Sequence, residues 1–94
     1  MSRYTVLDHN EASRETVLLD AYGKLHLTSW SVARPALGEV MHGPRPALGF
    51  QVLSAEESRR DCATHFLLID CHHSVVLVRW ARRNLRLRRR AESS

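Results

Sequence analysis

The sequence predicts a small α+β domain: a mainly antiparallel β-sheet or barrel-like structure of about six or seven short strands, with one short helix and a basic C-terminal extension. Three observations lead to this prediction. Short β-rich segments alternate with turn signals, one segment carries a helix-start pattern, and a run of arginines ends the chain. The 94 residues suit a single domain. We expect residues 1–80 to form it and residues 81–94 to form an arginine-rich tail.

The first strands are predicted from β-forming residues and turn signals. Residues 4–7 and 16–19 are short segments rich in valine, leucine and threonine, and residues 25–32 alternate with a period of two. Gly23 lies between the second and third segments and supplies the positive φ that a tight turn requires. The pattern predicts a hairpin whose second strand carries Trp30 on a mixed, partly polar face.

A five-residue repeat follows the hairpin. Residues 34–38 and residues 45–49 both read Arg-Pro-Ala-Leu-Gly. Proline fixes φ and removes a donor, while glycine relieves the backbone, so each copy is predicted to be a turn that leads into a strand. Trp30, Arg34 and Arg45 are then candidate contacts for a protein partner, because tryptophan and arginine concentrate binding energy at interfaces.

The predicted helix begins at a capping-box pattern. Ser54 is followed three residues later by Glu57, and these two side chains are able to cap the first turn of a helix reciprocally. We therefore expect a helix from residue 55 to about residue 63. Residues 66–70 and 75–80 are nearly continuous apolar runs, which predicts two strands buried on both faces.

The charge is distributed unevenly along the chain. Residues 1–78 contain seven basic and nine acidic residues, a net charge of −2, whereas residues 79–94 contain seven arginines and one glutamate, a net charge of +6. Such asymmetry indicates an anionic partner at one end of the molecule. Guanidinium groups match phosphate geometry, and an adjacent tryptophan offers a stacking surface. The candidate residues for this contact are Trp80, Arg82, Arg83, Arg86, Arg88, Arg89 and Arg90.

No pattern in the sequence predicts an enzyme. The chain lacks a phosphate-binding loop, a dinucleotide-binding glycine motif, a nucleophile elbow and a zinc-protease motif. Asp70, His72 and Ser74 are the residue types of a catalytic triad, but they crowd into one turn. A triad is assembled from separate parts of a fold beside an oxyanion hole, so we expect no catalytic site here.

Metal binding is also not predicted. Cys62, His65, Cys71 and His72 are ligand types that zinc prefers. A strand over residues 66–70 would place His65 and Cys71 about 20 Å apart, too far for one ion or for a disulfide between the two cysteines. We therefore expect no metal and no cofactor. The few cysteines and the lack of a signal segment predict a cytoplasmic protein, and the longest apolar runs are too short to span a bilayer.

These observations together predict a non-catalytic binding or regulatory module. Its arginine-rich C-terminus would engage an anionic partner, either nucleic acid or an acidic protein surface. The alternative is a protein-binding inhibitor or adaptor, like the small orphan proteins that phages use, in which the folded body occupies a partner's surface. Neither a membrane nor a small-molecule substrate is indicated. Edge strands in so small a domain make a homodimer as expected as a monomer.

Overall fold

A computed structural model describes residues 1–71 and shows a closed barrel of six antiparallel strands. The order of strands around the barrel is β1, β2, β3, β6, β5 and β4, and pairing between β1 and β4 closes the ring. The strands are β1 (Ser2–Asn10), β2 (Glu15–Asp20), β3 (Leu25–Trp30), β4 (Val40–Gly43), β5 (Gly49–Ala55) and β6 (Asp61–Cys71).

The predicted first strands and hairpin are confirmed, and turn chemistry explains where they end. Asn10 closes the β1–β2 turn, because its side-chain oxygen accepts the backbone N–H of Ala12 at 3.0 Å. In the β2–β3 turn, Gly23 adopts a φ of 82°, a conformation that glycine reaches without steric cost. The next connection, residues 31–39, runs beside β1, where the N–H of Val6 donates to the carbonyl of Glu39.

Alternate residues of the strands fill the barrel interior. Tyr4 packs edge-to-face on Phe66 with the ring centroids 5.7 Å apart, a favourable aromatic geometry. The remaining space between β2, β3 and Pro35 is only about 10 Å³, so this end of the interior is filled by side chains. The buried cluster consists of Tyr4, Val6, Leu18, Met41, Leu53, Ala55, Cys62 and Phe66.

β2 and β3 are buried on both faces, which the alternating sequence pattern did not indicate. Their second apolar cluster contains Val17, Leu25 and Leu27. The mixed face of β3 is the one that points into the barrel, where His26 and Thr28 are each 1% exposed. Polar residues are tolerated there because they are hydrogen-bonded, and the Thr28 hydroxyl donates to the Thr16 carbonyl at 3.0 Å.

β-Bulges adjust β6 to its shorter partner β3. Leu25 pairs with Cys71 and Leu27 pairs with Leu68, so one extra residue of β6 lies between the two pairs. The bulge contains Asp70, whose φ of 51° is left-handed although it is not glycine. A bulge turns the following side chains and strengthens local twist. This one brings the backbone N–H of Asp70 toward the barrel interior.

The α+β prediction is wrong, because residues 1–71 contain no helix and form an all-β barrel. Ser54 lies inside β5, and its hydroxyl donates across the hairpin to Asp61 at 2.6 Å instead of capping a helix. Only residues 56–60 separate β5 from β6, and Arg59 completes the turn with a φ of 55°. The capping pattern failed because no apolar face with helical periodicity follows it.

The prediction for the repeat is confirmed. Gly38 and Gly49, which end the two copies, have φ values of 78° and 103°. The first copy lies just before β4, and the glycine of the second copy begins β5. Both copies are therefore turns that lead into strands.

Three other predictions concern residues that the structure does not describe, and a fourth, the homodimer, rests on a premise that the structure changes. The strand over residues 75–80, the domain boundary at residue 80 and the tail over residues 81–94 lie outside residues 1–71. Each of the six described strands pairs with two neighbours. The described barrel thus has no free strand edge, and the edge-strand argument for a homodimer loses its basis.

Candidate binding site

A cleft of about 610 Å³ lies at one end of the barrel. It forms where the β2–β3 turn, the start of β1, the second copy of the repeat and the end of β6 meet. Its lining residues are Met1, Ser2, Arg3, Asp20, Ala21, Tyr22, Lys24, His26, Arg45, Pro46, Ile69 and Asp70. Clefts of this size hold ligands such as a single nucleotide.

The floor of the cleft is a hydrogen-bonded chain centred on His26. Its Nε2 lies 2.8 Å from Oδ2 of Asp20, and its Nδ1 accepts the backbone N–H of Asp70 at 3.0 Å. Because a backbone N–H only donates, Nδ1 carries no proton, and Nε2 must be the donor to Asp20. The neighbours thus select one neutral tautomer of a histidine that is 1% exposed.

Asp20 connects this chain to the β2–β3 turn. Its Oδ1 accepts the backbone N–H groups of Tyr22 at 2.9 Å and Lys24 at 3.0 Å. Burial raises the pKa of Asp20, but the hydrogen bonds from His26 and from the turn outweigh that effect, so the pKa lies below its ordinary value of 3.8. The carboxylate is therefore charged at neutral pH and holds the turn.

Basic side chains line the mouth of the cleft. Lys24 is neutralised by Asp70, with Nζ and Oδ1 2.9 Å apart, while Arg3 lies 3.8 Å from Glu56 in an exposed pair. Arg45 forms no ion pair within residues 1–71. An exposed ion pair such as that between Arg3 and Glu56 contributes little energy, so an anionic ligand is able to replace Glu56. The guanidinium groups of Arg3 and Arg45 are hence available to an anion.

The structure does not bring together the residues predicted to contact a protein partner. Arg45 lines the cleft, whereas Trp30 and Arg34 lie at the opposite end of the barrel, beside the β1–β2 turn. Trp30 is half-buried and contacts His9 edge-to-face at 5.9 Å, and Arg34 is paired with Glu11. The predicted anion-binding residues, from Trp80 to Arg90, lie outside the described residues.

The candidate metal ligands are also separated, as far as the structure describes them. Cys62 is buried inside the barrel, whereas His65, three residues later, is exposed on the outside. Cys71 lies at the other end of β6, and the two cysteines are not joined by a disulfide. Among residues 1–71, no group of three His, Cys, Asp or Glu side chains is placed to hold a metal ion. His72 and Ser74 lie outside this range.

Sequence reasoning missed most of the cleft. The sequence did contain a pattern for the turn at Asp20, Tyr22 and Gly23. An aspartate side chain in a turn commonly accepts the backbone N–H of the residue two positions later, as Asp20 does from Tyr22. Nothing in the sequence indicated that Arg3 or His26 would join them. Those two residues lie on β1 and β3, and only closure of the barrel brings them to the same end.

Comparisons with known proteins leave the chain without an assigned relative. No family model matches it, and neither a curated protein nor a solved structure is significantly similar to it. Within residues 1–71, no helix is long and apolar enough to cross a membrane.

Proposed function

We propose that this chain is a cytoplasmic, non-catalytic binding module whose anionic partner is nucleic acid. The contact would involve the cleft at the end of the barrel together with the arginine-rich C-terminus. A regulatory role follows naturally from such binding, since a bound module blocks the same nucleic acid for other proteins.

The proposal rests on the uneven distribution of positive charge. Arg3, Lys24 and Arg45 line one cleft together with the carboxylates of Asp20 and Asp70, and Asp70 is paired with Lys24, so the two arginines are the cations left for an anion. In the sequence, residues 72–94 contain seven arginines and one glutamate. Residues 1–71 have a net charge of −2, with seven basic and nine acidic residues. We therefore expect a polyanion to be attracted by the arginines of the cleft and of residues 72–94 rather than by the slightly acidic residues 1–71 as a whole.

The floor of the cleft favours binding over catalysis. Both ring nitrogens of His26 are engaged, one by Asp20 and one by the backbone of Asp70. The two carboxylate oxygens of Asp20 are engaged as well. A general base needs a free acceptor within reach of its substrate, and here these two residues support the shape of the turn.

The cysteines support the cytoplasmic part of the proposal. Cys62 and Cys71 are the two cysteines of the sequence, and they are not joined by a disulfide. Because they lie at opposite ends of β6, they cannot form a disulfide without rearrangement of the barrel. Small domains without disulfides are typical of reducing compartments.

Fluorescence anisotropy with labelled DNA and RNA over a salt series tests the proposal. The slope of log affinity against log salt counts the phosphate contacts. We expect replacement of four C-terminal arginines by glutamine to flatten the slope by about 3. The variant carries Arg86→Gln, Arg88→Gln, Arg89→Gln and Arg90→Gln.

The repeat supplies a matched control for the cleft. Arg45→Gln should flatten the slope by about 1, whereas Arg34→Gln, in the same five-residue motif at the opposite end of the barrel, should leave it unchanged. Equal effects of the two substitutions would remove the cleft from the proposal. If the unmodified chain fails to bind even at about 50 mM salt, nucleic acid is not the partner.

One observation favours protein binding by the folded body as a second candidate. The outer face of β5 and β6 carries exposed apolar side chains, namely Phe50, Val52 and Leu67, with Leu48 just before β5, and Phe50 is 67% exposed. Exposed apolar patches commonly mark protein interfaces. A photocrosslinking residue at position 50 should then give one discrete adduct in cells, while the same residue at exposed Arg59 should give none.

A further inference from the structure

Tyr22 is the most prominent side chain at the cleft that the proposed function leaves unused. It lies in the β2–β3 turn, lines the cleft beside Arg3 and Arg45, and is 89% exposed. Tyrosine is enriched at binding interfaces, where its ring supplies a large contact area and its hydroxyl a hydrogen-bonding group.

The turn that carries Tyr22 is held from several sides. Asp20 accepts the N–H groups of Tyr22 and Lys24, and its carbonyl accepts the N–H of Gly23 at 3.2 Å. Lys24 is bonded to Asp70 on β6. A ring on a turn that is already ordered loses little backbone freedom when it binds. Tyr22 is thus a pre-organised aromatic platform in the cleft that Arg3 and Arg45 also line.

An aromatic platform beside guanidinium groups fits an unpaired nucleotide. The arginines contact phosphate, and the ring stacks on a base. In a duplex, the faces of the bases are stacked on one another and are not available to a side chain. The cleft volume of about 610 Å³ accommodates one nucleotide.

We propose that the cleft binds single-stranded nucleic acid, with one base stacked on Tyr22 and the neighbouring phosphates contacted by Arg3 and Arg45. This inference rests on the proposed function and specifies its partner. Binding is largely independent of base sequence, because Asp20 and His26 on the cleft floor have their polar atoms engaged and offer no edge for base recognition.

The test compares single strands with duplexes of equal length, as DNA and as RNA, using the full chain and two variants. Tyr22→Leu removes the aromatic face and should weaken single-strand binding by about 5- to 100-fold, while Tyr22→Phe should retain affinity within about 2-fold. Duplex affinity should not change in either variant. Because Tyr22 is exposed, both variants should unfold at the same temperature as the unmodified chain, which checks that folding is intact.

The outcomes separate this inference from the proposed function. If the unmodified chain binds no nucleic acid, both are refuted. If it binds but Tyr22→Leu leaves single-strand affinity unchanged, or if duplex binds as tightly as single strand, the proposed function stands and the single-strand inference is refuted. Loss of affinity in Tyr22→Phe equal to that in Tyr22→Leu would also refute stacking, since the phenyl ring preserves the π-face.

Discussion

Replacing Asp20 by asparagine tests the hydrogen-bonded chain that shapes the cleft. Asparagine keeps one oxygen for the β2–β3 turn but presents an NH₂ group to Nε2 of His26, which is itself a donor. A change of tautomer gives no relief, because the other ring nitrogen would then direct a proton at the backbone N–H of Asp70. One buried donor is left unsatisfied in either arrangement.

The size of the effect follows from the loss of that bond. A hydrogen bond to a charged group contributes about 1.5–3 kcal/mol, and a buried donor without an acceptor costs about 1–3 kcal/mol. Both estimates describe the loss of the same hydrogen bond between His26 and Asp20, so they are not simply added. We expect Asp20→Asn to lower the free energy of unfolding by about 2–4 kcal/mol. That is a large part of the roughly 5–15 kcal/mol that stabilises an ordinary domain. Urea unfolding followed by tryptophan fluorescence measures it.

Two controls make the result specific. Asp61→Asn alters an exposed aspartate that accepts a hydrogen bond from Ser54, and it should cost less than about 0.5 kcal/mol. In a His26→Phe background, Asp20→Asn should cost under about 1 kcal/mol, since the opposed donor is gone. If Asp20→Asn costs the same with and without His26, or costs as little as Asp61→Asn, the tautomer argument fails.

The pKa of Asp20 adds a pH dependence of known sign. Because its pKa is lowered on folding, the stability it contributes is fully present above the ordinary pKa of 3.8 and is lost as the pH falls through the lowered folded value. The unmodified chain should therefore lose stability on acidification below about pH 4. Asp20→Asn should show a smaller loss over the same range. Equal slopes would contradict the assignment.

Three further predictions follow from burial. Gly43→Ala should lower the free energy of unfolding in urea by about 1–3 kcal/mol, because the new Cβ would overlap a methyl group of Leu53. An unchanged unfolding midpoint would contradict that overlap. Phe66→Ala should cost about 3–5 kcal/mol, whereas Phe50→Ala on the exposed face should cost under about 1 kcal/mol, and similar costs would contradict their placement. Burial raises the pKa of the Cys62 thiol, so a thiol reagent should modify half-buried Cys71 before Cys62. Mass spectrometry over a time course measures the order of modification.

Local patterns predicted the first hairpin and the two repeat turns correctly, because both depend on neighbours in the chain. Alternation over residues 25–32 and the need for positive φ at Gly23 are properties of a few consecutive residues. The capping box over Ser54 to Glu57 was equally local but wrong. Pairing of β5 with β6 offers the backbone more hydrogen bonds than one isolated helical turn, and Ser54 joined that pairing.

The two copies of the repeat show what local reasoning leaves out. Arg34 and Arg45 have the same four residues after them, yet one is paired with Glu11 at the far end of the barrel and the other lines the cleft without an ion pair in residues 1–71. Their different surroundings come from β1 and β2, which are distant in sequence. No property of the repeat itself distinguishes an arginine in an ion pair from one available to a ligand.

By itself, the sequence determined the β-rich character of the chain, its turns and the concentration of positive charge in its last residues, since these depend on composition and on neighbouring residues. Only the tertiary structure decided that the strands close into a barrel and that Arg3, Tyr22, His26 and Arg45 meet at one end of it. The physical reason is register. Pairing of β1 with β4 and the bulge at Asp70 set which side chains share a face, and both result from contacts between strands far apart in the chain.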